Sequence, residues 1–189
     1  LKANEILIIQ DGPIKLEVLK FLKKFKKKKI RIVAFRNNLG LGKVLRKAVR
    51  LAKYDIIIRA DADDFSQKER FKCLINYFKK NPEIHVVSSY VKEIYNKKIL
   101  IKKVPLSHDE IVDIKNYKNP INHSAVAYKK KAVLKCGNYE NLLYFEDYFL
   151  WLKMIEKKYK FHNLDKSLVT SKINNDFYNR RSGFKYFRY

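Results

Sequence analysis

The sequence predicts an α/β protein with a Rossmann-like, mostly parallel sheet flanked by helices. Between residues 5 and 58, short β-branched runs alternate with segments whose apolar residues recur at helical spacing, in the order β-α-β-α-β. Strands joined through helices run parallel with right-handed crossovers. The 189 residues are enough for one domain with its own core, and a hydrophobic content of 47% argues against disorder.

The individual elements follow from periodicity and from Gly, Pro and Asn punctuation. We expect strands at residues 5–9, 30–35, 56–58, 84–91, 97–104 and 124–128. We expect helices at residues 16–25, 44–52, 69–80 and 109–116, a further helix that ends at Gly137, and a strongly apolar helix opened by Glu146 and Asp147. Ser107 or Asp109 is the expected N-cap of the helix at 109–116.

Three carboxylates follow the buried strand at residues 56–58, namely Asp61, Asp63 and Asp64. Open α/β folds bind ligands at the carboxyl edge of the sheet. Carboxylates this close together repel one another unless a cation lies between them, and Mg²⁺ or Mn²⁺ accepts one or two carboxylates with phosphate oxygens and water. The alternative is a solvated acidic turn in which Asp61 or Asp64 caps the following helix.

A glycine-rich segment, Asn-Asn-Leu-Gly-Leu-Gly-Lys at residues 37–43, precedes a helix. Backbone N–H groups at such a helix start, with Gly40 and Lys43, could hold a phosphate. The Gly-Lys-Ser/Thr ending of a Walker loop is absent, so a simple tight turn is the alternative.

The pair Glu146-Asp147 has two interpretations. Aromatic neighbours at 144, 145, 148 and 149 would desolvate a carboxylate and raise its pKa, which suits a general base. The alternative is simple complementarity with the dipole at a helix N-terminus.

The formal net charge of +24 predicts an anionic partner: nucleic acid, anionic lipid or a phosphorylated small molecule. Lysine-biased genome composition is the alternative. The tail at residues 172–189 mixes basic and aromatic side chains, which suits a membrane interface or a closing segment that turns Arg180 and Arg181 toward a site. Cys73 and Cys136 are expected to be reduced, as in a cytosolic protein.

Four landmarks in order resemble one known family: Asp11-Gly12, Asn38-Leu39-Gly40, the turn at 61–64, and Glu146-Asp147. The chain is similar to family 2 glycosyltransferases of GT-A fold, above all to the amylovoran-type enzymes of bacterial exopolysaccharide and lipopolysaccharide synthesis. Residues 119–123 and 180–186 add to the likeness. It implies a single domain at 1–189, with a nucleotide-sugar-binding half at 1–95 and an acceptor-binding half at 96–189.

The resemblance also implies a metal-dependent, inverting transfer from a nucleotide-diphospho-sugar to a saccharide or lipid-linked acceptor, at the inner face of the cytoplasmic membrane. The cofactor would be Mn²⁺ or Mg²⁺. The implied nucleotide-sugar-binding residues are Asp11 at the base, Asp61 at the ribose, Gly40, Lys43 and Arg59; the implied metal ligands are Asp63 and Asp61; Asp147 is the implied base, oriented by Glu146; and His123, Arg180 and Arg181 are implied at the acceptor or pyrophosphate.

The chain departs from the family pattern at three points, and two alternatives to an active glycosyltransferase are considered. The family's first strand is missing, so an N-terminally incomplete chain is expected; Gln10 replaces a second Asp; and the Gln-x-x-Arg-Trp signature is absent. One alternative is an inactive, truncated glycosyltransferase fragment. The other is a basic nucleic-acid-binding protein, which we disfavour because the basic residues are spread over helix ends and no aromatic-rich RNA-binding strand is present.

Overall fold

A computed structural model describes residues 2–24 and 29–173. Its elements, in chain order, are β1 (Ile6–Asp11), α1 (Leu16–Lys24), β2 (Ile30–Phe35), α2 (Leu41–Leu51), β3 (Ile56–Ile58), β4 (Asp64–Ser66), α3 (Arg70–Lys80), β5 (Ile84–Tyr95), β6 (Lys98–Lys102), α4 (His108–Ile114), a 3-10 turn (His123–Ala125), β7 (Ala127–Lys129), α5 (Lys130–Lys135), α6 (Glu146–Glu156) and β8 (Lys160–Lys172). Arg180, Arg181 and most of the basic-aromatic tail lie outside the described residues.

The chain divides into two compact units, Leu1–Ile57 with Lys129–Met154 and Ile58–Tyr128 with Ile155–Tyr189. In the first unit, β1 and β2 pair in parallel from Ile6 opposite Ile30 to Asp11 opposite Phe35, as the β-α-β pattern predicts. The apolar side of α6 supplies core residues Leu150, Trp151 and Met154.

A close approach joins α2 to the segment after α5 within the first unit. A Cβ added at Gly42 would lie 2.4 Å from the carbonyl oxygen of Glu140, so a larger residue does not fit there without a backbone shift. Arg46 Nη1 donates to the carbonyls of Gly137 and Tyr139, both at 2.9 Å. Asn138 Nδ2 returns a bond to the carbonyl of Arg46 at 2.8 Å. These bonds fix the segment that leads toward α6.

The sheet of the second unit has the strand order β3-β7-β5-β8-β4, with β6 paired to β5, and the chain passes from the first unit to the second within β3. It is more mixed than the sequence pattern predicts. The β5–β8 pair is parallel, whereas β5–β6, β5–β7 and β4–β8 are antiparallel. The β5–β6 pair must be antiparallel because a two-residue turn, Asn96-Lys97 with φ of 46° and 63°, joins the strands.

Three sequence expectations need correction in the second unit. The strand expected at 124–128 is a 3-10 turn followed by β7. Neither Asp61 nor Asp64 caps a helix, because β4 intervenes and α3 begins only at Arg70. The central strand β8 was not expected at all, because Asn163 and the polar residues after it interrupt the apolar alternation. Asn163 is nevertheless buried, since its Nδ2 donates to the carbonyl of Pro120 at 3.0 Å.

Other local expectations are confirmed. Ser107 caps α4 in a capping box with Glu110, and Glu146 opens α6. Cys73 and Cys136 are both free thiols. Among the helices that the structure describes, none combines the length and the apolar character needed to cross a membrane.

Candidate functional site

The carboxylate turn, defined as residues 59–64, leads from β3 to β4 in the second unit. Arg59 donates its N–H to the carbonyl of Val126 at 3.0 Å, which fixes the start of the turn beside β7. The Asp64 N–H donates to the carbonyl of Asp61 at 3.3 Å, which closes the turn. The three carboxylates therefore stand on one short, hydrogen-bonded turn at the end of a strand, as expected.

Asp61 is held by an ion pair. Its Oδ1 lies 2.7 Å from Arg59 Nη2, and the two side chains are only 29% and 12% exposed. Burial raises the pKa of the Asp61 carboxyl above its usual value, Arg59 opposes that shift, and the neighbouring Asp64 and Asp63 add to it. Arg59 is therefore the group that compensates Asp61 for its partial burial.

Asp63 differs from Asp61 in exposure. Its side chain is exposed and makes no hydrogen bond or ion pair with residues 2–24 or 29–173. No three His, Cys, Asp or Glu side chains in the described part of the chain are grouped to hold a metal ion. That finding is compatible with Mg²⁺ or Mn²⁺, since these ions often take one or two carboxylates and complete their shell with phosphate and water oxygens. The exposed hard-oxygen donor of Asp63 fits such an ion.

Arg70, the first residue of α3, supports the carboxylate turn through hydrogen bonds. The sequence analysis did not identify this residue. The residue is 1% exposed. Its Nη1 donates to Ser66 Oγ at 2.8 Å, and its Nη2 donates to the carbonyls of Arg59 at 2.6 Å and Ser124 at 2.9 Å. Burial lowers the pKa of Arg70 to about 10, with Asp61 and Asp64 opposing the shift, so the guanidinium stays charged at neutral pH.

His123 lies at the start of the 3-10 turn, directly before Ser124, whose carbonyl accepts from Arg70. The preceding residue, Asn122, is buried and donates to the carbonyl of Ser89 at 2.9 Å. The structure thus brings the segment of His123 to the same guanidinium that supports the carboxylate turn.

Asp11 organises a loop within the first unit. Its carboxylate accepts from the N–H of Leu39 at 2.7 Å and from the N–H of Gly40 at 3.2 Å. Gly40 has φ of 84°, a conformation that glycine adopts without strain. Of the glycine donors expected to hold phosphate, the N–H of Gly40 is thus engaged by Asp11, while Lys43, in the first turn of α2, is exposed.

Glu146 and Asp147 occupy the first turn of α6 in the first unit, and both are buried, at 7% and 8% exposure. Carboxylates in a first helical turn are stabilised by the positive end of the helix dipole. The residue two before Glu146, Tyr144, has φ of 70°, a left-handed conformation that is unusual for a side chain of this size. A strained entry and two buried acids mark this helix start as a candidate for chemistry.

Solved structures share this architecture. The S. aureus protein TarS, residues 1–349 in complex with UDP-GlcNAc, superposes with a TM-score of 0.69 and 18% identity, covering 93% of this chain and 55% of that chain. GalNAc-T7 with UDP, GalNAc and Mn²⁺ gives a TM-score of 0.69 at 16% identity, covering 90% and 38%. This chain spans about half the length of the solved TarS chain and less of the solved GalNAc-T7 chain. The fold is that of the GT-A glycosyltransferases.

Sequence relatives define the family. Residues 1–137 match the profile described as Glycosyl transferase family 2. An Escherichia coli UDP-Gal:alpha-D-GlcNAc-diphosphoundecaprenol beta-1,3-galactosyltransferase is 34% identical over an alignment of 187 residues that covers 97% of this chain and 68% of that one. The amylovoran biosynthesis glycosyltransferase AmsE of Erwinia amylovora is 32% identical, with 100% and 71% covered. The chain belongs to glycosyl transferase family 2, which confirms the resemblance; these matches give no support to the nucleic-acid-binding alternative.

Proposed function

We propose that this protein transfers a sugar from a nucleotide-diphospho-sugar to a saccharide or lipid-linked acceptor in the synthesis of cell-surface polysaccharide or lipopolysaccharide. The observation that carries the proposal is the family match over residues 1–137, joined by relatives over nearly the whole chain. The Escherichia coli relative is named for an acceptor that carries a lipid diphosphate. We extend that chemical class of acceptor to this chain.

At the donor, the carboxylate turn is our candidate for the diphosphate. Asp63 would hold a divalent cation, with Asp61 as the neighbouring carboxylate or the contact to the ribose. A bound Mn²⁺ or Mg²⁺ would stabilise the charge that develops on the departing nucleoside diphosphate. Arg59 and Arg70 keep the turn in one conformation through the contacts described above. A turn held in advance loses less entropy when it binds its ligand.

At the acceptor, Asp147 is our candidate base and Glu146 orients it. The carboxylate of Asp147 takes the proton of the acceptor hydroxyl, and the freed oxygen attacks the anomeric carbon of the donor sugar. The new glycosidic bond forms as the bond to the diphosphate breaks on the opposite face, so the anomeric configuration inverts. Burial at 8% exposure supports this role, because general bases of enzymes are commonly held in sites shielded from bulk water.

The remaining residues receive supporting roles. We assign Asp11 to the nucleobase end of the donor, where its contacts with Leu39 and Gly40 also shape the loop before Lys43. His123, Arg180 and Arg181 are assigned to the acceptor or the pyrophosphate. The single domain keeps the halves 1–95 and 96–189 for donor and acceptor, and we place the enzyme at the inner face of the cytoplasmic membrane.

The test is release of nucleoside diphosphate from a panel of UDP- and GDP-sugars. The acceptors are N-acetylhexosamine-diphospho-lipid analogues, with Mn²⁺, with Mg²⁺ or with chelator. We expect acceptor-dependent release with one donor, and an inverted anomeric linkage in the product by NMR. A product with retained configuration would contradict the assigned single displacement. Release that never exceeds the acceptor-free background would contradict the proposed function.

A further inference from the structure

The β5–β6 hairpin, defined as residues 92–103, has an unusual surface for a water-facing element. Residues 96–103 are eight consecutive exposed residues, and three of them are large aliphatics. Ile99 is 56% exposed, Leu100 57% and Ile101 44%. Contiguous exposed apolar side chains commonly mark an interaction surface.

Strand pairing on both sides of β5 and a side-chain hydrogen bond hold the hairpin in place. The exposure of its apolar side chains is therefore a property of the fold. Five residue pairs join β5 to β6, from Val91 opposite Lys102 to Tyr95 opposite Lys98. Asn122 Nδ2 donates to the carbonyl of Lys102 at 3.2 Å and thereby ties the far end of β6 to the core. On its other side, β5 pairs with β8 as far as Ile94 opposite Lys172.

The two faces of the hairpin differ. Because side chains alternate along a strand, Ile99 and Ile101 point to one face. Their cross-strand partners there are Ile94 and Lys92. Leu100 points to the other face, where its partner is Glu93. The Ile99–Ile101 face therefore combines isoleucines with Lys92. By the same alternation, the Leu100 face carries Glu93 together with Lys98 and Lys102.

Charge at the two ends of β6 selects the occupant of the hairpin. Lys97 and Lys98 precede the apolar triplet, Lys102 and Lys103 follow it, and no acidic residue lies within 96–103. A second copy pairing edge to edge about Leu100 would set Lys98 against Lys102, and like charges opposite one another destabilise a sheet. An anionic lipid surface can bind both the aliphatic and the lysine side chains. The aliphatic side chains lie at the acyl boundary, and the ammonium groups lie among the headgroups.

We propose that the Ile99–Ile101 face of the hairpin docks the protein on a bilayer that contains anionic phospholipid. The inference deepens the proposed function and rests on it for its purpose, because a transferase whose acceptor is anchored in lipid works at a membrane surface. The contact with the bilayer is made by the hairpin and does not involve the basic-aromatic tail.

The experiment is co-sedimentation of the full chain with vesicles of phosphatidylglycerol and phosphatidylcholine at low and high salt. Wild type is expected to pellet with anionic vesicles and to be released by salt. Lys92→Gln, which removes the lysine opposite Ile101 on the docking face, should weaken partition about fivefold. Ile99→Thr with Ile101→Thr keeps β-branched residues in the strand and should weaken partition about tenfold.

The matched control is Leu100→Thr, which alters an equally exposed residue on the opposite face and should change partition less than about twofold. An equal loss with Leu100→Thr would overturn docking by one face. A second control, Leu16→Ser with Phe21→Ser, alters the two most exposed apolar residues of the lysine-bearing helix α1. A loss confined to that variant would place the contact on α1 and overturn the proposal.

Transfer to a water-soluble acceptor analogue separates this inference from the proposed function. The hairpin variants should transfer sugar to that analogue at the wild-type rate, with unchanged circular dichroism. Unaltered vesicle binding in active variants would overturn the hairpin assignment and leave the proposed function intact. Hairpin-dependent vesicle binding without transfer to any acceptor would support the docking surface and count against the function.

Discussion

Replacing Arg70 with methionine removes the guanidinium that holds the carboxylate turn. Three hydrogen bonds are lost at once, to Ser66 Oγ and to the carbonyls of Arg59 and Ser124. Methionine refills most of the hydrocarbon volume, so the change tests the polar contacts more than the packing. The two carbonyl oxygens then lose a buried donor.

The size of the effect follows from two opposing contributions. A buried polar group left without its partner costs about 1–3 kcal/mol, so two carbonyls give about 2–6 kcal/mol. Relief of a buried charge offsets part of this, since burial already lowers the pKa of Arg70 to about 10. We expect the free energy of unfolding to fall by about 3 kcal/mol, and the midpoint of thermal unfolding by about 6–12 °C for a chain of this length.

Urea unfolding followed by far-ultraviolet circular dichroism measures this difference. Lys72→Met is the matched control, because Lys72 is exposed on the same helix and should change stability by less than about 0.5 kcal/mol. Arg70→Lys retains the charge but cannot reach three acceptors with one nitrogen, so an intermediate loss is expected. A methionine variant within about 1 kcal/mol of wild type would refute the idea that Arg70 holds the turn.

Four further predictions concern other residues. Asp63→Ala should remove the Mn²⁺-dependent part of UDP or GDP binding in calorimetry, because it deletes an exposed oxygen donor, and should leave circular dichroism unchanged. Asp147→Asn should slow transfer about 10²–10⁴-fold while donor binding persists, because it removes proton acceptance and keeps shape. Gly42→Ala should lower the free energy of unfolding by about 1–3 kcal/mol, because its Cβ would meet the carbonyl of Glu140. His162 should contribute a loss of stability below about pH 6.5, because burial lowers its pKa in the folded state, so the unfolded chain takes the proton first; His162→Gln should flatten the dependence of the urea midpoint on pH.

One of these predictions has a control variant, and each of the other three has a result that would contradict it. Asp113→Ala removes an exposed carboxylate on α4 and should leave metal-dependent binding as in wild type. An Asp147→Asn enzyme that turns over at the wild-type rate would remove Asp147 from the role of base. Full stability of Gly42→Ala would mean that the segment at Glu140 moves aside at no cost. A pH dependence that is the same in His162→Gln and wild type would assign it to other groups.

The features that the sequence predicted are those encoded locally. The isoleucine run of β3 and the capping box at Ser107 each depend on residues within one or two turns of chain. Strand β8 escaped prediction because the burial of Asn163 is stabilised by carbonyls that lie far away in sequence. Arg70 escaped for a related reason, since an arginine in a first helical turn looks solvated until its acceptors, among them the carbonyl of Ser124, are known.

In the candidate site, too, the sequence identified residues that form a local pattern but not their hydrogen-bond and ion-pair partners. Its acidic residues were found because three carboxylates after an isoleucine strand are conspicuous in a chain of charge +24. Their present partners were not foreseen: Asp11 binds the backbone of Leu39 and Gly40, and Asp61 binds Arg59. The roles of Asp63 and Asp147 in transfer come from family resemblance and stay predictions.

The position of β8 has a consequence for synthesis on the ribosome. This strand is the last element of the described chain, yet it lies between β5 and β4 in the middle of its sheet. Until residues 160–172 emerge, the backbone N–H and C=O groups along that edge of β5 have no partner and remain open to pairing with other chains. The strands of this sheet therefore complete their pairing only after β8 has been synthesised. A nascent chain stalled in α6 exposes an unpaired edge of β5 that can pair with other chains.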